Sequence, residues 1–346
     1  MVEGLYLPSG YVNCGSVLDL DTPFIFGWGG RGIGKTYGML KELYSRGYCF
    51  AYMRNIQNEI DLACSRDGNV FRPLNDDYGW AVVPERIRGT KYVGAFYNAE
   101  EVEGGLEPVG APIGYGLALA SVARIRGFSL DNVEVVFFDE FIPELHTRKI
   151  TALGEAFLNA YETINRNREL KGRDPLKVVC MANANRVDND LFLEFGLVTR
   201  AYEMQKKRLD FWQDKERGIT LINFAESPIS KAKKNTALYR FAGSDSDFSA
   251  MALSNEFGYD DRFIQSRNLK PYKKLCNVGE IDIYQHRDGA GYYVRPAKQI
   301  NSQYDCTERG LKSARYHYGW LNGAWLDGSI YFENVLSNVL FERYFT

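Results

Sequence analysis

The stretch FIFGWGGRGIGKTYGML, residues 24–40, places five glycines in front of one Lys-Thr pair. Within it, Gly29, Gly34, Lys35 and Thr36 match the pattern G-x-x-x-x-G-K-[ST] of a phosphate-binding loop. A glycine-rich chain can match so short a pattern by chance, and a flexible glycine connector is the alternative. The sequence on either side of the loop must therefore decide between the two.

The flanking sequence favours the phosphate-binding loop. TPFIFGW (22–28) is an apolar run typical of a buried parallel strand, and KTYGMLKELYSRG (35–47) has the apolar spacing of a helix that ends at Gly47. Glycines permit a tight turn whose N–H groups converge on phosphate oxygens at the start of that helix. We expect Lys35 to bridge the β and γ phosphates and Thr36 to ligate Mg²⁺. The expected ATP-binding residues are Gly29, Gly30, Arg31, Gly32, Ile33, Gly34, Lys35 and Thr36, with a solvent-facing Arg31 as the alternative for that side chain.

A second motif supplies two acids at the end of a strand. NVEVVFFDEF (132–141) is an apolar, β-branched run that ends in Asp139 and Glu140. We expect Asp139 to hold Mg²⁺ through water and Glu140 to polarise the water that attacks the nucleotide. An Asp-Glu pair at this point is typical of P-loop proteins that hydrolyse ATP rather than of P-loop switches.

Two further polar residues are candidates for the same site. Asn183 ends a third predicted strand, PLKVVCMANAN (175–185), as a sensor of the γ-phosphate or as a simple turn residue. Arg54 ends the strand YCFAYMR (48–54) and would serve phosphate, a neighbouring subunit or an ion pair. Those three roles for Arg54 stay open at this point.

Two arginines precede the third strand, within AYETINRNREL (160–170), which we expect to be helical. A planar guanidinium suits the charge that develops on a transferring phosphoryl group, so Arg166 or Arg168 is expected to act as an arginine finger in a neighbour's site. A solvated surface arginine is the alternative for either one.

Composition limits the class of protein. The chain has 346 residues with a formal net charge of −2 and 45% hydrophobic residues, the balance of a soluble globular protein of two ordinary domains. Neither a run long enough to span a membrane nor the order of a signal peptide is visible, so we expect a cytoplasmic protein without a membrane partner. The spacing of the six cysteines suits neither zinc nor a disulfide scaffold.

The composition shifts near residue 203, after a predicted edge strand over 197–205. We expect an ATPase domain over 1–203, a basic linker or small helical segment over 204–235, and a C-terminal α+β domain over 236–346. Between residues 206 and 240 nine basic side chains face four acidic ones. This segment would touch a nucleic-acid backbone or form a solvated helix. The candidate contacts are Lys206, Lys207, Lys231, Lys233 and Lys234.

The C-terminal region is predicted to be rich in strands. EIDIYQHRDGAGYYVRPA (280–297) places two β-rich runs around a turn and predicts a hairpin. Its acidic residues show no spacing that singles out a two-metal triad, so nuclease activity is not expected. These acids are Asp282, Asp288, Asp305, Glu308, Asp327 and Glu333.

Four blocks taken together resemble the DNA-packaging (encapsidation) ATPases of φ29-type bacteriophages. They are GGRGIGKTYG (29–38), FFDEFI (137–142), INRNREL (164–170) and MANANR (181–186). The resemblance is clear over about residues 22–187 and weak beyond them. It implies an α/β P-loop domain of the additional-strand type, with a mostly parallel sheet flanked by helices, then a linker and a smaller, degenerate RNase H-like domain.

The same resemblance implies a function. Family members form a homomeric ring, generally a pentamer, that docks on the procapsid portal, in φ29 through a packaging RNA. The ring uses ATP and Mg²⁺ to push double-stranded DNA into the head, and it acts in the host cytoplasm. It implies that Lys35 and Thr36 bind nucleotide and Mg²⁺, that Asp139 and Glu140 are the metal-binding acid and the base, and that Arg166 is the trans-acting arginine. The family carries further basic residues after the position of Arg54, whereas this chain has Asn55 and Gln57.

Two other functions share these motifs. A ring-forming translocase or helicase-like ATPase without a packaging role would carry the same ATPase residues. A nucleotide-gated assembly protein would bind ATP without hydrolysing it, and Glu140 argues against that.

Overall fold

The computed structural model describes residues 4–125, 127–143, 153–183, 189–224, 227–233, 236–242, 264–298 and 303–346. The chain divides into two compact units, Met1–Asn185 with Arg208–Glu256, and Arg186–Lys207 with Phe257–Thr346. The strands are β1 Phe24–Gly29, β2 Phe50–Arg54, β3 Val82–Arg86, β4 Val93–Val102, β5 Gly105–Ala118, β6 Val135–Asp139, β7 Lys177–Asn183, β8 Phe211–Asp214, β9 Ile219–Phe224, β10 Tyr272–Val278, β11 Ile281–His286, β12 Tyr292–Pro296 and β13 Ile330–Phe332.

The helices are of ordinary or short length. They are α1 Cys14–Leu18, α2 Lys35–Ser45, α3 Gln57–Ala63, α4 Arg72–Tyr78, α5 Leu153–Asn165, α6 Asp190–Glu194, α7 Val198–Lys206, α8 Pro228–Lys233, α9 Ala237–Ala242, α10 Glu308–Tyr318, α11 Trp320–Leu326 and α12 Val335–Phe345. Across the described ranges, none combines the length and the apolar character that crossing a bilayer requires.

The first unit is built on one large sheet. Its described strands follow the order β3-β4-β5-β2-β6-β7-β1-β9-β8. The six strands from β5 to β9 in that order are parallel, while β3, β4 and β8 join at the edges as antiparallel neighbours. The sheet confirms the predicted strands over β1, β2, β6 and β7.

Both faces of the parallel strands are covered. On one face, Leu40 and Leu43 of α2 pack in a core that includes Phe137 and Val179. On the other, the rings of Phe138 and Phe157 stack with centroids 6.3 Å apart, which brings α5 against β6. Burial on two faces explains why these strands are continuous apolar runs, and each fully buried large side chain contributes about 1.5–3 kcal/mol.

Two expectations about the middle of the chain are wrong. Residues 211–224, predicted as part of a linker over 204–235, form β8 and β9 of the large sheet, and every residue of β9 is buried. The strand predicted over 197–205 is the helix α7, which belongs with the second unit. The ATPase fold therefore continues past residue 203, the boundary expected from composition.

The second unit is α+β, as predicted. Its sheet has the order β10-β11-β12-β13, with an antiparallel meander followed by β13 parallel to β12. The predicted hairpin is β11 and β12, and α12 packs its buried Leu340 and Phe341 among the residues of the core. An RNase H-like assignment for this unit stays a prediction.

Candidate nucleotide site

The glycine loop connects β1 to α2 at the carboxyl edge of the parallel strands. Gly32 and Gly34 have φ of 64° and 87°, in a backbone region that residues other than glycine rarely adopt. Ile33 lies between them and is fully buried, so it fixes the loop to the core. The loop therefore has the left-handed turns and the helix start that a phosphate cradle needs.

Lys35 turns its ammonium back over the loop. Its Nζ donates to the Gly30 carbonyl at 2.7 Å and to Asn183 Oδ1 at 3.0 Å. Burial lowers the pKa of Lys35 to about 8, against the opposing effect of the Asp139 and Glu140 carboxylates. Asn183 thus contacts a residue of the predicted site, which a turn residue alone would not do.

Thr36 and Asp139 meet at the base of the loop. The Thr36 hydroxyl donates to both carboxylate oxygens of Asp139, at 3.0 and 3.1 Å, and the Tyr52 hydroxyl donates to one of them at 3.1 Å. Burial raises the pKa of Asp139, while the Arg54 guanidinium, Thr36 and Tyr52 act in the opposite direction. A hydroxyl and a carboxylate side by side are hard oxygen ligands of the kind that Mg²⁺ takes beside phosphate, so this pair fits the ion.

Glu140 follows at the strand's end in an unusual backbone conformation. Its φ is 53°, and the Asn55 side chain donates to its carbonyl at 2.7 Å. The Arg54 guanidinium donates to Glu140 Oε2 at 2.5 Å and to Asp139 Oδ2 at 3.4 Å. Of the three roles left open for Arg54, the ion pair is the one this structure shows.

The two candidate fingers lie at the other edge of the sheet, beyond the end of α5 rather than within a helix. Arg166, whose φ is 45°, donates to the Phe128 carbonyl at 2.8 Å. Arg168 is 5% exposed and donates to the Val133 carbonyl at 2.5 Å. Their partners precede β6, whereas Asp139 ends it, so the structure does not bring either arginine to the nucleotide site of its own chain.

The candidate nucleic-acid lysines fall in different elements of the chain. Lys206 and Lys207 are at the end of α7, the side chain of Lys231 is outside the described part, and Lys234 lies outside the described residues. Lys233, predicted as a nucleic-acid contact, instead donates to the carbonyl of Arg31 in the glycine loop at 2.5 Å. The Arg31 side chain is exposed.

Sequence reasoning missed one side chain of the site and one contact with the loop. Tyr52 binds Asp139 from β2, and a polar hydroxyl two residues before Arg54 on the same strand face was the available signal. The contact of Lys233 with the loop was not predicted, and its signal was weaker: the largely apolar stretch ITLINF (219–224), which ends nine residues earlier and is typical of a strand.

No group of three or more His, Cys, Asp or Glu side chains suited to a metal ion occurs in the part of the chain that the structure describes. Among the C-terminal acids, Asp288 accepts from Ala290 N at 2.9 Å, as expected of a turn residue. Asp282 is paired with Lys274 at 2.7 Å.

Strand order and site together define the class. The loop follows β1, the two acids end β6, and β7 lies between these strands, which is the additional-strand arrangement of P-loop nucleotide hydrolases. The Lys35, Thr36 and Asp139 contacts complete the set of groups that such a protein uses to hold nucleotide.

Comparison with known proteins identifies the family. The family model described as Podovirus DNA encapsidation protein (Gp16) matches residues 8–278, and the chain belongs to this family. The DNA packaging protein of Bacillus phage phi29 is 24% identical over 359 residues, covering 96% of this chain and 97% of that protein. The DNA packaging protein of Bacillus phage B103 is 26% identical over 261 residues, covering 73% and 70%.

A solved structure has a similar fold over most of the chain. The bacteriophage Phi-29 viral genome packaging motor assembly matches with a TM-score of 0.59 at 22% identity, covering 97% of this chain and 99% of that one. The similarity therefore extends over both units, beyond the residues that carried the sequence resemblance.

Proposed function

We propose that this chain is the ATP-driven subunit of a phage motor that moves double-stranded DNA into a preformed procapsid. The observation that carries the proposal is the convergence of Lys35, Thr36, Asp139 and Glu140 at one sheet edge, in a member of the encapsidation family. The phi29 and B103 relatives, both DNA packaging proteins, support the same function.

Each group in the site has a task in ATP hydrolysis. The loop amides and Lys35 bind the phosphate chain and hold it in line for attack. Thr36 and Asp139 would hold Mg²⁺, which when bound neutralises charge on the phosphate oxygens. Water attacks the γ-phosphorus, its proton passes to a Glu140 carboxylate oxygen, and the bond from the γ-phosphorus to the bridging oxygen breaks to release ADP.

The ion pair with Arg54 adds a condition to this step. A carboxylate held at 2.5 Å by a guanidinium is a weak base, because the proton it accepts must compete with that charge. Glu140 must therefore move away from Arg54 before it takes a proton from water. The exposed side of Glu140, 42% of its side chain, leaves room for that movement.

DNA is expected to be held through its phosphates, without regard to sequence, because a packaging motor must accept the whole genome. Lys206 and Lys207, at the end of α7, are the candidates for this contact in the second unit. We further propose a homomeric ring, pentameric as in the family, that docks on the procapsid portal in the host cytoplasm. A packaging RNA is a separate partner to be tested. No nuclease activity is proposed.

A packaging assay tests the function. Purified chain, procapsids, ATP and linear double-stranded DNA are mixed, with and without packaging RNA, and DNA that resists added nuclease is measured. We expect protection with the parent chain and none with Glu140→Gln, whose turnover should fall at least ~10²-fold while it still binds ATP. DNA-stimulated ATPase without procapsid-dependent protection would favour the non-packaging translocase. Full turnover by Glu140→Gln would contradict the assignment of the base.

A further inference from the structure

Lys233 reaches the glycine loop because of the sheet order. β9 lies directly beside β1, and its last residue, Phe224, is the register partner of Gly29 at the start of the loop. α8 begins at Pro228, only four positions after Phe224, and ends at Lys233. The chain that leaves the sheet beside the loop therefore brings a lysine back to it within the same subunit.

α8 is held in place on the N-terminal segment. The hydroxyl of Ser227, which is fully buried, donates to the Gly10 carbonyl at 3.1 Å. A Cβ at Gly10 would lie 2.9 Å from Pro228 Cβ, so the two segments are in close contact. The same N-terminal segment is bound to the loop, because Val12 N donates to the Ile33 carbonyl at 2.9 Å. The helix that carries Lys233 is therefore packed against the N-terminal segment rather than free on the surface.

The ammonium of Lys233 lies on the loop itself. Its Nζ donates to the Arg31 carbonyl at 2.5 Å, and a Cβ built on Gly32 would lie 2.2 Å from this nitrogen. Lys35 places a second ammonium at the same loop, where its Nζ donates to the Gly30 carbonyl at 2.7 Å. Both lysines are partly or fully desolvated, which lowers the pKa of each, and Lys233 lowers that of Lys35 further.

Two cations brought to one loop repel each other, and an anion between them removes the repulsion. The loop already offers N–H groups to phosphate, so the anion that fits is the phosphate chain of a nucleotide. Lys233 can exchange the neutral Arg31 carbonyl for a charged phosphate oxygen, which makes a stronger, charge-assisted hydrogen bond.

We propose that Lys233 is a second lysine of the nucleotide site, which contacts the phosphate chain of a bound nucleoside triphosphate in its own subunit. The inference rests on the proposed function, in which the glycine loop binds ATP. Lys35 is part of the loop, whereas Lys233 comes from a helix outside it. Because Lys233 is the last residue of α8, its contact with the phosphate chain connects the position of α8 to nucleotide binding.

Equilibrium binding of a fluorescent, slowly hydrolysed ATP analogue to the full-length chain tests the proposal. We expect Lys233→Ala to weaken binding about tenfold or more, and Lys233→Arg to recover part of the loss. Lys215→Ala is the matched control, because this lysine sits in the turn after β8 with a side chain that is 78% exposed, and it should bind as the parent does. Thermal unfolding of each variant shows that the fold is retained.

Lys35→Ala distinguishes a failure of the phosphate-loop assignment from a failure of the Lys233 proposal alone. If it binds the analogue as tightly as the parent does, the phosphate-loop assignment itself is wrong. If Lys35→Ala loses binding but Lys233→Ala keeps parental affinity, only the role of Lys233 is overturned. A Lys233→Ala variant with weaker affinity for double-stranded DNA and unchanged nucleotide affinity would also overturn it, in favour of the nucleic-acid contact predicted from sequence.

Discussion

Asp139 and Glu140 are adjacent carboxylates that share one guanidinium. Arg54 reaches both from β2, and its side chain is 17% exposed beside an Asp139 side chain that is 3% exposed. A buried carboxylate with no partner costs several kcal/mol, so this arginine stabilises the fold as well as restraining Glu140, the proposed base. The acids were predictable from the end of their strand, but the contact with Arg54 required the order β2-β6 in the sheet.

Arg54→Ala should therefore lower the free energy of unfolding by about 3 kcal/mol, because it leaves Asp139 buried without its cation. Arg66→Ala is the matched control: its pair with Glu85 is exposed on both sides, so its loss should change the free energy of unfolding far less than Arg54→Ala does. Urea denaturation of the two variants measures the difference. Equal, small losses would contradict the assigned importance of the Arg54 pair.

The candidate nucleotide-binding residues differ in how well the sequence could predict their place in the site. Lys35, Thr36 and Asp139 follow from local pattern, because a loop and a strand end carry their own signatures. Lys233 was predicted to contact nucleic acid from a count of charges, which sees only neighbours in sequence and could not show its contact with the loop. Lys233 and Arg31 are far apart in sequence, and only the pairing of β9 with β1 in the folded chain brings them together.

At the scale of elements, two predictions were wrong: the predicted linker contains the strands β8 and β9, and the predicted edge strand is the helix α7. The basic residues around β9 suggested a linker, although ITLINF is largely apolar, as a strand buried on two faces requires. The residues of α7 were predicted to form an edge strand over 197–205. The first turn of α7 is held by Glu280, whose Oε2 accepts from Thr199 N at 2.7 Å. A cap that comes from so distant a residue cannot be read from the local sequence.

The contact of β9 with β1 gives a packing prediction. A Cβ at Gly27 would lie 2.8 Å from the Phe224 ring, so Gly27→Ala should destabilise the chain by about 1–3 kcal/mol through overpacking. Phe224→Leu shortens the facing side chain and should cost about 1 kcal/mol alone. The double variant should be more stable than the sum of the single losses predicts, as measured by thermal unfolding in a double-mutant cycle. Strict additivity would show that the two residues do not compete for this space.

Glu280 gives a pH prediction for the second unit. It is 3% exposed, and burial raises the pKa of its carboxyl, although the hydrogen bonds from α7 act in the opposite direction. The folded form then holds the proton more tightly than the unfolded chain does. Protonation therefore adds stability, which is lost as pH rises from the ordinary glutamate range through the raised pKa.

Glu280→Gln keeps an oxygen for Thr199 N but removes this titration. We expect the parent to lose more stability than the variant between pH 4.5 and 7, a range given by roughly the ordinary glutamate pKa and neutrality. Urea unfolding followed at several pH values measures the difference between the two chains. Parallel curves over the whole range would rule out Glu280 as the source.

At the scale of the whole molecule, sequence predicted two domains and their classes but not the path of the chain between them. Residues 186–207 leave the first unit, contribute α6 and α7 to the second, and return for β8 and β9. Composition marks a change near residue 203 but cannot show that the chain returns to the sheet afterwards. The family resemblance covered the nucleotide residues well because they are local, and it became weak where long-range pairing sets the fold.

The position of Arg166 and Arg168 in the fold leads to a prediction about contacts between subunits. Arg166 lies at the amino edge of β6 and the nucleotide acids at its carboxyl edge, five residues or roughly 16 Å away, so an arginine finger must act on a neighbour. The Arg166 side chain is 32% exposed, whereas Arg168 is buried against the Val133 carbonyl. Arg166 is therefore the better candidate, and Arg168→Ala should reduce stability, by about 1–3 kcal/mol.

Mixing two inactive variants tests this arrangement. Arg166→Ala should lower ATP turnover about 10³-fold with a smaller loss of stability than Arg168→Ala, and Glu140→Gln should be inactive because its own site lacks the base. In a mixed ring, a Glu140→Gln subunit presents an intact Arg166 to the intact site of an Arg166→Ala neighbour, so turnover should reappear in proportion to such pairs. Steady-state ATPase across mixing ratios measures it, and size-exclusion chromatography shows that the variants assemble. Turnover that stays at the level of the separate variants at every ratio would contradict a role for Arg166 in trans.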